Sequence, residues 1–268
     1  MIEKEIVPYL PVRKRGFKSK VAVCEIVNCI LYKLKTGVQW HLLPVNHLFS
    51  DEALHYKTVF GYYRKWSKDD VWKSCWIEVL KKNKAKLDLS SGDLDGSHTT
   101  ALRGGEEVGY QGRKKRKTTN ALYLTDRQGL PLAMSVPISG NHNDLYDIEV
   151  HFEEVTATLE QADISLDGLF INADAGFDTE NLRTKSQSKG IIVNIAHNKR
   201  NSKADNDNYF DEQLYKERYA IERTNAWLDS FRSLLNRFDT TITSWIGFNY
   251  IAFIVIALRK FTKIKKSR

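Results

Sequence analysis

The spacing of apolar residues divides the chain into a helical front part and a mixed remainder. Before residue 85, three stretches repeat apolar side chains every three or four residues, which is typical of amphipathic helices. The first stretch ends at Gly37, a residue suited to close a helix. The second is expected to start at Ser50 and the third at Asp69 or Asp70, residues that favour helix starts. The pattern therefore predicts three short helices.

From residue 87 onwards, short apolar strands alternate with helices. Strands are predicted over residues 87–97, 120–125, 130–138, 169–173 and 190–195. Helices are predicted over residues 144–159, 178–189 and 214–238, followed by a final helix that Ser244 caps. Residues 126–129 (DRQG) read as a hairpin turn, and residues 197–209 as a polar loop. A meander followed by alternating units indicates an α/β protein with a mixed sheet flanked by helices.

Length and composition fit one large domain, or a core with a small accessory domain. The 268 residues are 42% hydrophobic, enough for a sizeable core. The change of pattern sets a predicted boundary between a helical region, residues 1–85, and an α/β domain, residues 86–268. A basic stretch in the helical region suggests that it docks DNA, although the stretch fits a solvated edge equally well. Its residues are Arg13, Lys14, Arg15, Lys18 and Lys20.

Charge and cysteine usage narrow the class of partner and compartment. The net charge of +8 favours a polyanion, either nucleic acid or an anionic membrane surface. The three cysteines form no CxxC pair, so neither a disulfide framework nor a zinc site is expected, and a reducing compartment fits best. The apolar residues 245–258 are fewer than the ~20 that a spanning helix needs. We therefore expect a buried C-terminal helix and no membrane anchor.

Three acidic residues stand where the fold could bring them together. Asp95 and Asp174 fall at the predicted carboxyl ends of two strands, where ligands gather in open α/β sheets. Glu222 lies on the helix predicted over residues 214–238, in a polar stripe at helical spacing. The stripe comprises Tyr215, Arg218, Glu222, Asn225 and Asp229. On this helix alone, a solvated face with an Arg218–Glu222 ion pair is the better explanation. The combination of this glutamate with the two aspartates instead favours a functional site.

Carboxylates in a basic chain suggest a divalent metal held against a phosphate backbone. Mg²⁺ takes oxygen ligands and keeps several waters. Two such ions, ~4 Å apart, can activate an attacking oxygen and stabilise a leaving one. Asp93 is an alternative ligand, because it lies two residues from Asp95 on the same strand face.

Other polar residues near the predicted strand ends allow more than one role. His98 and His142 could lie near a metal centre or form structural hydrogen bonds. Asn141, Asn143 and Asp144 form a polar turn that can cap the next helix, and Asp178 is expected to cap the helix that follows it. The polar turn and Asp178 thus have structural explanations.

Several motifs resemble those of the DDE transposases of bacterial insertion sequences, in particular the family named after insertion sequence five. The likeness covers most of the chain and rests on the order and separation of all the motifs together. The motifs are residues 94–97 (LDGS), 172–178 (NADAGFD) and 215–228 (YKERYAIERTNAWL), with residues 35–44 (KTGVQWHLLP) and 63–66 (YRKW) in the front half.

The resemblance implies an RNase H-like core with a metal-binding catalytic triad. The triad would be Asp95, Asp174 and Glu222, holding two Mg²⁺ (or Mn²⁺) ions per active site. Tyr215 and Arg218 match the tyrosine and arginine that precede the family's glutamate, and we expect them to contact DNA together with Arg223.

One position departs from the family pattern. The wider group has a lysine seven residues after the glutamate, and here that position is Asp229. The lysine's DNA contact would then fall to Arg223 or Arg232.

A dense basic run lies just before a predicted strand and close in sequence to Asp95. It could hold phosphates near the metals without reading base sequence. A solvated hairpin tip is the alternative explanation. The run comprises Arg113, Lys114, Lys115, Arg116 and Lys117.

The resemblance implies a transposase that binds terminal inverted repeats, cleaves at the element ends and joins the 3′-hydroxyls to target DNA. Its partner would be double-stranded DNA. A dimer on DNA is expected, because two ends must be held together. Its place would be the bacterial cytoplasm, at the nucleoid. The alternatives are an RNase H-like nuclease without strand transfer, and a non-catalytic DNA-binding protein.

Overall fold

The computed structural model describes residues 1–11, 21–45, 54–197 and 210–266. Its helices are α1 (Ile2–Glu5), α2 (Val23–Thr36), α3 (Tyr56–Lys68), α4 (Val71–Asn83), α5 (Ile148–Gln161), α6 (Glu180–Ser188), α7 (Glu212–Lys216), α8 (Tyr219–Asp229), α9 (Arg232–Leu235) and α10 (Ile242–Lys266). Its strands are β1 (Gly92–Ala101), β2 (Gly109–Gln111), β3 (Arg116–Asp126), β4 (Pro131–Met134), β5 (Ile138–Ser139), β6 (Phe170–Ala173), β7 (Ile192–Ile195) and β8 (Asn236–Arg237).

The described strands form one mixed sheet in the order β2-β3-β1-β6-β7. β3 runs antiparallel to β1, whereas β6 and β7 run parallel to it. β4 and β5 pair with β3, and β8 pairs with β1. A meander of antiparallel strands followed by two parallel strands is the RNase H-like arrangement. The predicted mixed sheet with flanking helices is therefore confirmed.

The N-terminal helices share one core with the C-terminal helix α10. α3 and α4 pack along α10, and α2 packs on α9. The indole nitrogen of Trp76 donates to the carbonyl oxygen of Leu132 at 2.8 Å, which ties α4 to β4. The hydroxyl of Tyr63 donates to the carbonyl oxygen of Ser244. Apolar burial therefore continues across residue 85, and the domain boundary there stays a prediction.

Helix α10 is longer than the sequence pattern predicts. It begins at Ile242, so Ser244 lies inside the first turn and does not cap it. Asn249 interrupts the apolar run, and its side-chain oxygen accepts a hydrogen bond from the Tyr123 hydroxyl at 3.0 Å. By length and hydropathy, residues 242–262 could cross a membrane, and 67% of their most apolar window is buried inside the protein. Packing against α3, α4 and the sheet accounts for that apolar character.

The single helix predicted over residues 214–238 is wrong. The structure divides this segment into α7, α8, α9 and the short strand β8. The break after α8 falls at Phe231, whose extended backbone places its ring in the core. The Ser233 hydroxyl then donates to the carbonyl oxygen of Lys33 at 2.9 Å. Contacts with α2 thus outweigh helix continuation, and they leave Leu235 and Phe238 exposed.

Strand boundaries also differ from the prediction, because pairing with distant partners extends or splits the strands. β1 runs on to Ala101 through its ladder with β3, so Asp95 lies within the strand and not at its end. The basic run enters β3 at Arg116, opposite a short strand β2 that was not predicted. Residues 130–138 form two strands, β4 and β5, in place of one.

Helix starts in the structure confirm some caps and correct others. Gly37 adopts φ 69° and closes α2 as predicted, and α4 follows Asp70. Ser50 lies outside the described residues. Thr179, not Asp178, caps α6, because its hydroxyl accepts from the amide of Leu182. Asp178 instead accepts two hydrogen bonds from the Arg183 guanidinium, at 2.8 and 2.9 Å.

The shared core predicts a large stability loss when a central ring of α10 is removed. Phe253 is fully buried, and its ring centroid lies 5.7 Å from that of Trp76 and 6.2 Å from that of Tyr123. We expect Phe253→Ala to lower the free energy of unfolding by about 3–5 kcal/mol, measured by chemical denaturation. Phe238→Ala, at a residue 48% exposed, is the control and should change it by about 0.5 kcal/mol or less. Equal losses in the two variants would contradict this packing.

Candidate functional site

Parallel pairing of β1 with β6 brings Asp95 and Asp174 to neighbouring positions. The ladder aligns Asp93 with Asn172 and Leu94 with Ala173, so Asp95 and Asp174 come next on each strand. The Asn172 side-chain amide donates to Asp93 Oδ1 at 3.0 Å, which shows that these two residues face the same side of the sheet. Since strand side chains alternate, the residues two positions on, Asp95 and Asp174, share that side. The predicted convergence of these strands is present.

A buried row of polar side chains lies directly beneath the two aspartates. It runs from Asp93 through Asn172 to Asn194, across three parallel strands. The Asn194 amide donates to Asn172 Oδ1 at 2.9 Å and also to the carbonyl oxygen of Asp211 at 2.9 Å. The amide of Asp211 returns a 2.8 Å hydrogen bond to Asn194 Oδ1. The row therefore anchors the segment that begins α7 and leads into α8.

Helix α8 and the residues just before it also contact the turn between β3 and β4. Arg127 and Glu217 form an ion pair, with Nε 2.7 Å from one carboxylate oxygen and the second guanidinium nitrogen 2.9 Å from the other. The Thr224 hydroxyl donates to the carbonyl oxygen of Gly129, a residue with φ 79°. These contacts place the first turns of α8 over β1 and β3.

Glu222 lies in the first turn of α8, and its side chain is exposed. The structure thus holds two half-buried aspartates on neighbouring strands and an exposed glutamate on a helix packed over β1. Among the residues described, no group of three His, Cys, Asp or Glu side chains is close enough together to hold a metal ion as the side chains stand.

Burial and neighbouring charges set the protonation behaviour of the aspartates. Burial, the largest effect, acts with the charges of Asp174 and Asp144 to raise the pKa of Asp95 to about 6, against the lowering effect of Arg218. Burial likewise raises the pKa of Asp93 to about 6, against the lowering effects of Asn172 and Arg218. Each raised pKa reports a carboxylate whose charge the protein alone does not fully compensate. A cation would compensate it.

The donor set fits a hard divalent ion. Asp95 and Asp174 offer carboxylate oxygens and no sulfur, and their half-exposed side chains leave room for bound water. Asp174 Oδ1 already accepts from the amide of Gly176 at 2.7 Å, and Asp95 Oδ1 from the amide of Gly96 at 3.0 Å, which fixes one oxygen of each carboxylate.

The basic residues predicted around the glutamate take separate positions. Arg218 precedes α8, packs against the ring of Tyr215 at 5.7 Å and acts electrostatically on Asp93 and Asp95. Arg223 lies over the rings of Tyr219 and Trp227, at 5.4 and 5.9 Å. Because the helix is interrupted between α7 and α8, the predicted stripe from Tyr215 to Asp229 is not continuous.

The basic run lies in the β2–β3 hairpin, and one of its lysines contacts β1 near Asp95. Lys114 Nζ donates to the carbonyl oxygen of His98 at 3.1 Å, within β1 and three residues from Asp95. The charges of Lys114 and Arg113 lower the pKa of His98, after the larger effect of burial. Lys114 also lowers the pKa of Asp229, which burial raises. The other cations of the run, Lys115, Arg116 and Lys117, are exposed.

Sequence reasoning assigned Asp144 to a helix cap, and that assignment is wrong. Helix α5 starts after Asp147, and Asp144 lies instead over Gly96, on the face of the sheet opposite to the Asp95 side chain. Its Oδ1 accepts from the Asn120 amide at 2.7 Å. His142 stacks on Tyr146, with ring centroids 3.7 Å apart. The polar residues from Asn141 to Asp144 were visible in the sequence, but only the tertiary structure shows that Asp144 contacts β1 and β3.

Comparison with known proteins gives two family matches. The model described as "Transposase DDE domain" matches residues 87–255, and "Putative transposase of IS4/5 family" matches residues 4–76. The chain is similar to the "Putative transposase for insertion sequence element IS6501" of Brucella ovis, with 30% identity over 146 residues. That match covers 53% of this chain and 99% of the relative.

Solved structures similar to this chain include complexes of the Mos1 transposase. One is the paired-end complex with the left transposon end, at TM-score 0.32 and 10% identity, covering 90% of this chain and 80% of that one. Another is the Mos1 strand transfer complex, at TM-score 0.29 and 11% identity, covering 90% and 78%. The family assignment comes from the matched models and the Brucella relative: the chain belongs to the DDE transposases of bacterial insertion sequences.

Proposed function

We propose that this transposase cleaves DNA at the ends of its element and joins the freed 3′-hydroxyls to target DNA, with Asp95, Asp174 and Glu222 as the metal-binding residues. The observation that supports the site is the β1–β6 register, which sets two carboxylates side by side beneath the helix that carries Glu222. The proposed domain division is a DNA-binding region over residues 1–85 and a catalytic domain over residues 86–268.

The three acids would hold two Mg²⁺ or Mn²⁺ ions. When bound, such ions activate the attacking oxygen and stabilise the leaving oxygen. The protein's own part would be positioning: the buried row fixes the segments of β1 and β6 that carry the aspartates, and α8, which packs against β1, carries Glu222. Glu222 is exposed, so its carboxylate is free to turn toward the aspartates when cations neutralise their charge.

DNA contact is assigned to basic side chains around the centre. Arg113 and Lys114 on the β2–β3 hairpin lie close enough to β1 to affect His98. The exposed Lys115, Arg116 and Lys117 extend the same positive surface. We assign further DNA contacts to Tyr215, Arg218 and Arg223, of which Arg218 acts electrostatically on Asp93 and Asp95. A duplex could then place one phosphate at the metals while neighbouring phosphates meet these cations.

The partner is double-stranded DNA bearing the terminal inverted repeats, and then the target. We propose a dimer on DNA, because both ends must be held during joining, and action at the nucleoid of the bacterial cytoplasm. An RNase H-like nuclease would cut without preference for repeat ends and leave no joined product. A non-catalytic DNA-binding protein would hold the ends without cutting them.

The first test removes single carboxylates. With Mn²⁺ and linear DNA that carries the element ends, Asp174→Asn and Glu222→Gln should each reduce cleavage by about a hundredfold or more, since one ligand charge is lost. Cleavage and joined products are measured on denaturing gels, and DNA binding by gel shift should be unchanged.

The matched control is Glu212→Gln, which removes an exposed carboxylate of α7 that lies 3.0 Å from the Lys216 ammonium group. This variant should cleave like the parent. Parent-level cleavage by Asp174→Asn would refute the proposed site. Cleavage of scrambled DNA at the same rate as end-containing DNA, with no joined product, would favour the nuclease.

The second test neutralises the hairpin. The double variant Arg113→Gln/Lys114→Gln should bind duplex DNA more weakly and lower the slope of log affinity against log salt by about 1 to 2, because each phosphate contact contributes about 0.9. Fluorescence anisotropy at several salt concentrations measures both.

The control double variant, Lys185→Gln/Lys189→Gln, removes the same charge near the end of α6, where Lys185 lies 2.6 Å from one carboxylate oxygen of Glu153 and Lys189 2.9 Å from the other. Its salt slope should match the parent's. Equal salt slopes for the two double variants would show that the hairpin cations do not contact DNA phosphates.

A further inference from the structure

A cavity of about 210 Å³ opens between the end of α8 and helix α10. Its lining comprises Trp227, Ser230, Phe231, Ile256, Arg259 and Lys260. Phe231 and Ile256 are buried and form an apolar floor, whereas Trp227 is half-buried and Arg259 is exposed. Among the described residues, this lining combines aromatic rings with two cations and contains no carboxylate. The cavity therefore offers apolar contact and positive charge together.

Cations already lie over the rings of this cavity. Lys260 Nζ is 6.0 Å from the centroid of the Trp227 ring, and the Arg223 guanidinium carbon is 5.9 Å from it. Lys35, on α2, lies 5.1 Å from the centroid of the Phe231 ring. The two contacts with Trp227 are at the outer limit of cation–π attraction, about 6 Å. Because both cations have flexible stems, a group that stacks on Trp227 could replace them at small cost.

The Trp227 ring is also the end of a row of side chains along α8. Tyr219, Arg223 and Trp227 are four residues apart, so they share one side of the helix. Arg223 lies between the two rings, 5.4 Å from that of Tyr219. At the helical rise, the two rings are about 12 Å apart along the axis. Since Glu222 directly precedes Arg223, the row joins the cavity to the turn that carries the proposed metal ligand.

Aromatic rings interleaved with cations are suited to single-stranded nucleic acid. Its bases stack on the rings while its phosphates meet the cations. A duplex keeps its bases stacked on each other, so it would contact only the cations. An acidic peptide would likewise leave the rings without flat partners. The cavity is also smaller than the about 300–1,000 Å³ typical of small-molecule sites, which fits a single base better than a larger ligand.

We propose that single-stranded DNA binds this aromatic–basic surface, with one base in the cavity against Trp227 and the neighbouring phosphates on the cations. The surface comprises Tyr219, Arg223, Trp227, Arg259 and Lys260. This inference rests on the proposed function, because cutting at an element end gives strands that can separate from their partners. The surface then keeps one strand beside Glu222 without occupying the metal site.

The test compares two fluorescent oligomers of equal length, oligothymidylate and an abasic strand with the same phosphates. Binding to the full chain is measured by fluorescence anisotropy in EDTA, so that no DNA is cut. The parent should bind oligothymidylate about tenfold more tightly than the abasic strand, because base–aromatic stacking contributes at least that much. Trp227→Ala should remove most of this preference, whereas Trp227→Phe, which keeps a ring, should retain most of it.

A second ring variant guards against loss of the fold in Trp227→Ala. Tyr219 is 60% exposed, so Tyr219→Ala should fold like the parent and lower the preference about fivefold. Phe238→Ala is the matched control, because it removes a 48% exposed ring that does not line the cavity. Its preference should equal the parent's. Thermal unfolding of each variant checks that the fold is kept.

A charge variant separates the phosphate contacts from the stacking. Arg259→Gln/Lys260→Gln should weaken binding of both oligomers by a similar factor, because both carry the same phosphates. Its preference for oligothymidylate should therefore remain. Loss of the preference in this variant, with full preference in Trp227→Ala, would contradict the assigned roles.

The outcomes separate this inference from the function beneath it. If the parent binds duplex DNA but shows no preference for oligothymidylate, or if Trp227→Ala and Tyr219→Ala both keep it, only the inference fails. If the parent binds neither single-stranded nor duplex DNA, the proposed function fails as well. If oligoglutamate binds as tightly as oligothymidylate and loses the same factor in Trp227→Ala, the cavity accepts acidic peptides and the inference is overturned.

Discussion

The parallel pairing of β1 with β6 is the contact on which the rest of the centre depends. It aligns Asp93 with Asn172, and a buried hydrogen bond between their side chains fixes that alignment. A slip of one residue would turn Asp95 and Asp174 to opposite faces of the sheet. Because both side chains of the pair are buried, a slip would also leave polar groups without partners, which is costly.

The same buried row connects the sheet to the helix that carries the glutamate. Asn194 continues the row and bonds the backbone at Asp211 in both directions. Farther along, the Arg127–Glu217 ion pair and the Thr224–Gly129 hydrogen bond hold the start of α8. The acids are thereby mounted on rigid elements, while Glu222 itself stays exposed and able to adjust.

The N-terminal helices contribute to this rigidity from the far side of α10. Their rings pack around α10, and α2 bonds α9 through Lys33 and Ser233. That contact ends the helical run that the sequence alone would continue. The region predicted to dock DNA thus shares its apolar core with α10. Substitutions in that shared core should therefore also destabilise the sheet that α10 packs against.

Sequence patterns were sufficient to predict the features that depend on residues close together in the chain. Alternation and helical periodicity predicted the mixed sheet and most helices, Gly37 predicted a helix end, and the ordered motifs indicated the family. The assignment of the three acids as metal ligands stays a prediction. What they could not give depends on partners far away in sequence. Pairing with β3 extends β1 past Asp95. Burial of the Phe231 ring in the core ends the long helix. The absence of a side chain at Gly96 leaves room for Asp144. Each of these is a contact between residues far apart in the chain, and sequence spacing carries no record of such contacts.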